Sequence, residues 1–186
     1  MDSKTKWNAK YKERMNNMME PVPNPRLKNQ FAYLNGGIAL DLACGLGGNS
    51  LFLAGMNYQV ESLDISDVAI NYLYEYATKN HLNIQPRVCD LTDLNHLNLL
   101  NHSFDLVVIS YYLDRSLFPM VKEIIKDRGF LFMETFYHVP QTENEGVSAQ
   151  HKLQPHELKI VFGDWKILFF EENEQEGRQT VFCQKQ

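Results

Sequence analysis

From residue 38 to the end of the chain, short apolar runs alternate with stretches of helical pattern, and no other feature limits the fold so sharply. The pattern predicts strands at 38–42, 58–63, 84–89, 104–109 and 130–135. Helices fit between them at 50–54, from the N-cap Ser66 to about Lys79, and at 118–126. Strand-helix-strand order means parallel strands joined by helical crossovers. The run Phe104-Asp105-Leu106-Val107-Val108-Ile109 is apolar enough to be covered on both faces. Pro86 cannot donate to a ladder and puts the third strand toward a sheet edge. Pro155 and Gly163 bracket one more helix. The last two strands, 165–170 and 180–184, flank a polar turn at 171–178 and so must pair antiparallel. The predicted architecture is α/β: a doubly wound, mostly parallel seven-stranded sheet with helices on both faces and an antiparallel C-terminal strand pair.

The first twenty residues read as a helix, with Trp7, Tyr11, Met15 and Met18 on one face. That stripe serves either to dock the helix on the core or to form a lid over a site. Pro21, Pro23 and Pro25 stop it. A second short helix fits 26–34, with Leu27, Phe31 and Leu34 on one side and Asn35-Gly36-Gly37 ending it. A chain of 186 residues suggests one domain, divided into an N-terminal helical cap (1–35), a core (36–136) and a segment of substrate loop, helix and hairpin (137–186). The loop at 137–154 is long and polar, as functional loops are. With 18 basic and 23 acidic residues, the net charge of −5 disfavours a nucleic-acid backbone binder. Cys44, Cys89 and Cys183 are scattered with no CxxC pair, and His151 and His156, five apart around Pro155, make no convincing metal pair, so neither a disulfide framework nor a metal site is expected. A polar N-terminus and the lack of a long apolar run point to a cytoplasmic protein without membrane contact, as a monomer or homodimer.

The chemistry concentrates in Asp41-Leu42-Ala43-Cys44-Gly45-Leu46-Gly47-Gly48-Asn49-Ser50, between the first predicted strand and its helix. Open parallel sheets bind ligands outside the carboxyl ends of their strands. Glycines there let the backbone approach a ligand with no Cβ in the way. Asp64 ends the second strand roughly 20 residues further on, where an acid can grip ribose hydroxyls. Asp90 ends the third, so three acids line one rim. An acid directly before the glycines is awkward beside a pyrophosphate on a helix N-terminus. It suits a ligand carrying an ammonium and a sulfonium. Asn49 and Ser50 also stand where a nicotinamide fingerprint wants a small residue. These features, and the lack of a second domain for a hydride acceptor, weigh against the alternative of an NAD-type oxidoreductase.

Residues 39–136 resemble the class I S-adenosylmethionine-dependent methyltransferases, whose sheet is Rossmann-like. The segment Ala39 to Gly48 is similar to their first motif, Leu63-Asp64-Ile65-Ser66 to the acidic second, Cys89-Asp90-Leu91 to the third and Phe104 to Ile109 to the fourth. Arg128-Gly129-Phe130-Leu131 is similar to the usual lead into the fifth strand. Further marks resemble a bacterial subgroup near the tellurite-resistance and thiopurine methyltransferases. They are Trp7 with Tyr11, Asn24-Pro25, Arg115-x-Leu-Phe-Pro, Glu134-Thr135-Phe136 and Leu153-x-Pro-x-Glu-Leu, so the likeness covers nearly the whole chain. Ser110-Tyr111-Tyr112 stands where amine methyltransferases carry a proline and aromatic signature, and the glycine of the substrate loop is delayed to Gly146.

The resemblance implies S-adenosylmethionine as cofactor, S-adenosylhomocysteine as product and a small-molecule acceptor. Asp41 with Gly45 and Gly47 would hold the methionine part. Asp64 would take the ribose hydroxyls, Ile65 would lie on the adenine, Asp90 would accept from its amino group and the Leu91 N–H would donate to the ring. Ser110 and Tyr111 would flank the sulfonium. Trp7, Tyr11, Ala43, Cys44, Asn49, Ser50 and Ser66 complete the expected cofactor contacts, though Cys44 reads first as a small packing residue. Methyl transfer is an in-line displacement that depends mostly on alignment, and a thiolate or oxyanion acceptor needs no general base. Tyr111, Arg115 and His138 are the expected substrate contacts, Arg115 because its planar fork grips anions. A second alternative is a methyltransferase-like module that binds the cofactor without turnover.

Overall fold

A computed structural model of the chain describes residues 2–93, 99, 101–139 and 147–186. Two compact units divide it, Met1–Asn98 and Leu99–Gln186. The first contains α1 (Ser3–Asn16), α2 (Pro25–Lys28), a 3-10 turn (Phe31–Tyr33), β1 (Gly37–Leu42), α3 (Gly48–Gly55), β2 (Tyr58–Asp64), α4 (Asp67–Lys79) and β3 (Ile84–Val88). The second contains β4 (Phe104–Ser110), α5 (Leu117–Ile124), β5 (Ile125–Phe136), a 3-10 turn (Ala149–His151), α6 (Glu157–Val161), β6 (Lys166–Asn173) and β7 (Arg178–Gln184). The strand order is β3-β2-β1-β4-β5-β7-β6, the mostly parallel seven-stranded sheet expected from the sequence.

In the first unit β1 pairs parallel with β2, and β2 with β3. Pro86 lies on β3, the edge strand, as its missing N–H requires. Leu40, Leu42, Val60 and Leu63 are fully buried, as are Leu53 of α3 and Leu73 of α4. Each such side chain contributes about 1.5–3 kcal/mol by leaving water. Ser66 caps α4 by accepting from the Ala69 N–H at 3.2 Å, as predicted. α1 is shorter than expected and ends at Asn16. Its stripe stops with it: Tyr11 is buried and Trp7 half-buried, but Met15 is exposed and Met18 is 90% exposed. The predicted helix at 26–34 is instead the four residues of α2 and a separate 3-10 turn, which leaves Phe31 64% exposed while Leu27 and Leu34 are buried. Asn24 caps the start of α2 through the Arg26 and Leu27 N–H groups, and the segment then tightens into i→i−3 bonds, Gln30 to Leu27, Tyr33 to Gln30 and Leu34 to Phe31.

In the second unit β4 pairs parallel with β5, while β7 pairs antiparallel with both β5 and β6. α5 stops at Ile124, so Lys126 lies in strand and not in helix. The cause is Ile125, which pairs with Phe104 across an irregular register before Leu106 meets Phe130. β6 and β7 extend beyond their predicted bounds to Asn173 and Arg178, shortening the polar turn between them. Residues 140–146 of the long loop, Gly146 included, lie outside the described residues. Among the described residues, no helix is long and apolar enough to cross a membrane and no group of three His, Cys, Asp or Glu could hold a metal ion.

Candidate active site

Asp41 is the next-to-last residue of β1 and only 1% exposed. Ser50, in the first turns of α3, donates to its Oδ2 at 2.6 Å. Oδ1 of Asp41 is buried and meets no hydrogen-bond partner among the described residues. Burial pushes the carboxyl up to about 7, Ser50 pulls it down and the nearby Asp64 carboxylate pushes it further up. A buried, half-satisfied carboxylate costs stability unless something else supplies the missing donor.

Asp64 ends β2 and is also buried. Its Oδ2 accepts from the Gly45 N–H at 2.8 Å and its Oδ1 from the Ser66 N–H at 2.8 Å. The Ile65 N–H and the Tyr11 hydroxyl lie near enough to favour its ionised form. Burial raises this carboxyl, although each of those donors opposes the rise. The loop between the two acids turns sharply: Ala43 has φ 55, Gly45 φ 54 and Gly47 φ 86. A non-glycine residue in that region is strained, and strain of this kind collects at functional sites. Gly45 has a second reason to lack a side chain, because a Cβ there would lie 2.9 Å from the Tyr11 hydroxyl oxygen. Cys44 is half-buried, with its thiol pushed up by burial and by Asp41 and Asp64, which fits packing and not nucleophilic attack.

α1 lies over this loop through Tyr11, which clusters with Leu46 and Ala69, with Trp7 packed against them and stacked on Tyr11 at 5.7 Å. Asn8 accepts from Ser66 Oγ at 2.5 Å and donates to Asp67 at 2.9 Å, so the helix is pinned to the start of α4. Tyr11 thus docks the helix on the core and also stands beside Asp64.

Several of the expected contact residues also bond within the protein. Asn49 accepts from the Asn24 N–H at 2.8 Å and holds the segment before α2. Ser50 faces Asp41, and the hydroxyl of Ser66 is used by Asn8 and Ala69. Asp90 is exposed, with Oδ1 accepting from the Thr92 N–H at 3.0 Å and its hydroxyl at 2.7 Å, while Leu91 is buried. The Cys89 N–H donates to the Asp64 carbonyl at 2.8 Å, which brings this third segment beside the second acid.

The remaining expected residues belong to the second unit. Ser110 ends β4 and Tyr111 follows it with φ 62, held by its N–H on the Glu134 carbonyl at 2.7 Å. Tyr111 is half exposed, and the Arg178 guanidinium lies 4.7 Å from its ring and 3.6 Å from that of Phe136. Glu134, buried, accepts from the Thr180 hydroxyl at 2.8 Å. The His138 N–H donates to the Leu153 carbonyl at 2.9 Å. Arg115 does not hold its fork open for an anion: it grips Glu157 at 2.6 and 2.8 Å and the Gln150 and Lys152 carbonyls at 3.3 and 3.0 Å. Sequence reasoning missed Ser62, Thr180 and Arg178, which strand register alone brings to these places.

The family model described as tellurite resistance protein TehB matches residues 10–181. This chain belongs to the TehB family. It is 26% identical over 147 residues to the "Probable S-adenosyl-L-methionine-dependent methyltransferase TehB" of Haemophilus influenzae, covering 76% of this chain and 50% of the relative. It is 25% identical over 140 residues to the ubiquinone biosynthesis O-methyltransferase of Glaesserella parasuis, covering 72% of this chain and 59% of that protein. The crystal structure of TehB from Haemophilus influenzae matches with a TM-score of 0.79 at 22% identity, covering 97% of this chain and 67% of that one. The TehB-family chain thus shares the fold and spans about half the length of the curated TehB relatives. The resemblance stated from the motifs, to class I methyltransferases of the tellurite-resistance type, agrees with the family match.

Proposed function

We propose that the chain binds S-adenosylmethionine and promotes transfer of its methyl group to a small-molecule acceptor in the cytoplasm. The observation that carries this reading is the buried Asp41 Oδ1, which lacks a donor beside a left-handed glycine loop. Its chemistry fits the ammonium of the methionine part, and an ion pair formed there is shielded from water. Asp64 fits the ribose, since a strand-ending carboxylate accepts from paired hydroxyls. Gly45 and Gly47 keep the loop bare, Ile65 would face the adenine, and Leu91 offers its backbone N–H to the ring. When bound, the cofactor supplies an electrophilic methyl group on a positive sulfur. The chain's own part is to hold and align, which can account for up to ~7–11 kcal/mol of a displacement barrier.

Tyr111 and His138 are the proposed acceptor contacts, with Ser110 beside the sulfonium. Arg115 is left out of the acceptor site, because its donors are engaged with Glu157 and two carbonyls. A thiolate or an oxyanion such as tellurite fits the absence of a required base. The test is incubation with methyl-labelled S-adenosylmethionine and a panel of tellurite, small thiols and amines. Label transferred to tellurite or a thiol, with S-adenosylhomocysteine formed in equal amount, is the expected result. Tight cofactor binding with no product from any member contradicts the methyl-transfer reading and favours a non-catalytic binding module.

A further inference from the structure

Asp41 and Ser62 stand directly opposite each other where β1 pairs with β2. Residues in register on neighbouring strands present their side chains to the same face. Ser50, from α3, joins them: its Oγ donates to Asp41 Oδ2 at 2.6 Å, and Ser62 Oγ donates to Ser50 Oγ at 2.8 Å. All three residues are buried. A serine hydroxyl has one proton to give. That of Ser50 goes to Asp41, and the proton arriving from Ser62 fixes this direction by occupying the Ser50 oxygen. The relay engages one carboxylate oxygen and leaves the other, Oδ1, without a partner.

We propose that Ser50 and Ser62 are positioning residues, a two-hydroxyl relay that locks the Asp41 carboxylate with Oδ1 turned to the ammonium of the bound cofactor. This rests on the cofactor reading given above. It assigns Ser62, which carries no motif, a role in cofactor affinity. The relay also sets the proton equilibrium of Asp41, because a hydroxyl donated to a carboxylate favours its ionised form. The titratable groups facing Asp41 are Asp64, Cys44 and Tyr11. Burial raises all of them, so none supplies a cation that could replace the relay. A ligand ammonium requires the ionised Asp41. Affinity therefore rises with pH through the titration of Asp41, and loss of the relay moves that rise to higher pH.

Two measurements test this. The Asp41 carboxyl is titrated by carbon NMR in the free protein, and S-adenosylhomocysteine affinity is measured by calorimetry from mildly acidic to alkaline pH. Wild type is compared with Ser50→Ala and with Ser62→Thr and Ser62→Val, a pair of equal shape that differs in the hydroxyl. The NMR midpoint is expected to rise in Ser50→Ala and, by less, in Ser62→Val. Affinity in mildly acidic solution is expected to fall about tenfold and about threefold respectively, and the gap to narrow as pH rises toward about 8, above which the ligand's own ammonium loses its proton and affinity drops in every variant. Ser62→Thr is expected to track the wild type. An unmoved midpoint in folded Ser62→Val, or an affinity loss equal at every pH, overturns the proposal and leaves Ser62 as packing. A folded wild type that binds no S-adenosylhomocysteine contradicts the cofactor reading itself, while the NMR titration still decides the relay.

Discussion

The hydroxyl of Tyr11 lies beside the carboxylate of Asp64, joining the N-terminal helix to the acid at the end of β2. The backbone N–H groups of Gly45 and Ser66 hydrogen-bond the two oxygens of that carboxylate at 2.8 Å each. A carboxylate accepts about four hydrogen bonds. These backbone donors are fixed by the loop, so a ribose hydroxyl that reaches Asp64 competes with Tyr11.

Tyr11→Phe keeps the ring against Leu46 and Ala69 and removes the competing hydroxyl. It is expected to strengthen S-adenosylhomocysteine binding about threefold to tenfold, because a net hydrogen bond is worth about 0.5–1.5 kcal/mol. Calorimetry checks this. A loss of affinity would instead make the hydroxyl a direct ligand contact.

Stability should fall as pH rises across the weakly acidic range. Asp41 and Asp64 both hold their protons more tightly in the folded chain than an ordinary carboxyl does, Asp41 up to about 7 against a reference of 3.8. The folded state then binds more protons than the unfolded state within that window, and stability drops as they leave. Asp67 and Asp164, held low by lysine hydrogen bonds, contribute the opposite slope, but below the ordinary carboxyl range. Thermal unfolding is expected to give a higher Tm near the acid end of the window than above it, with a flatter profile in Asp41→Asn. A Tm that climbs through the window contradicts the assignment of Asp41.

Arg115→Ala is expected to cost stability and not cofactor affinity. The side chain ties the turn before α5 to Glu157 and to the carbonyls of Gln150 and Lys152. A bidentate pair with a half-exposed arginine is worth about 1–2 kcal/mol after solvent screening. Chemical denaturation reads that loss, and calorimetry with S-adenosylhomocysteine should match the wild type. A variant of unchanged stability that no longer turns over an anionic acceptor would return Arg115 to the substrate site.

The alternation of strands and helices was legible because apolar runs, glycines and N-caps act locally. Ser66 capping α4 and Pro86 on an edge strand are cases where local chemistry and the fold agree. The N-terminal helix was overread because Met18 continues its spacing, although it stands 90% exposed beyond the helix end at Asn16. The end of α5 was misread because pairing between Ile125 and Phe104 overrides helical pattern. In the site, Asp41 and Asp64 could be found from their place before the glycines and at a strand end. Ser62 could not, since an inward serine on a strand signals nothing until register sets it against Asp41. Arg115 was legible as a charge, but its partner Glu157 reaches it only through the tertiary fold.

The most direct test of the account is calorimetric titration of the wild type and Asp64→Ala with S-adenosylhomocysteine. The predicted result is one-to-one binding by the wild type and a loss of about a hundredfold in the folded variant, as two hydroxyls lose a charged acceptor. A well-folded wild type that gives no binding heat at any temperature tried, and does not compete with labelled S-adenosylmethionine, contradicts the account.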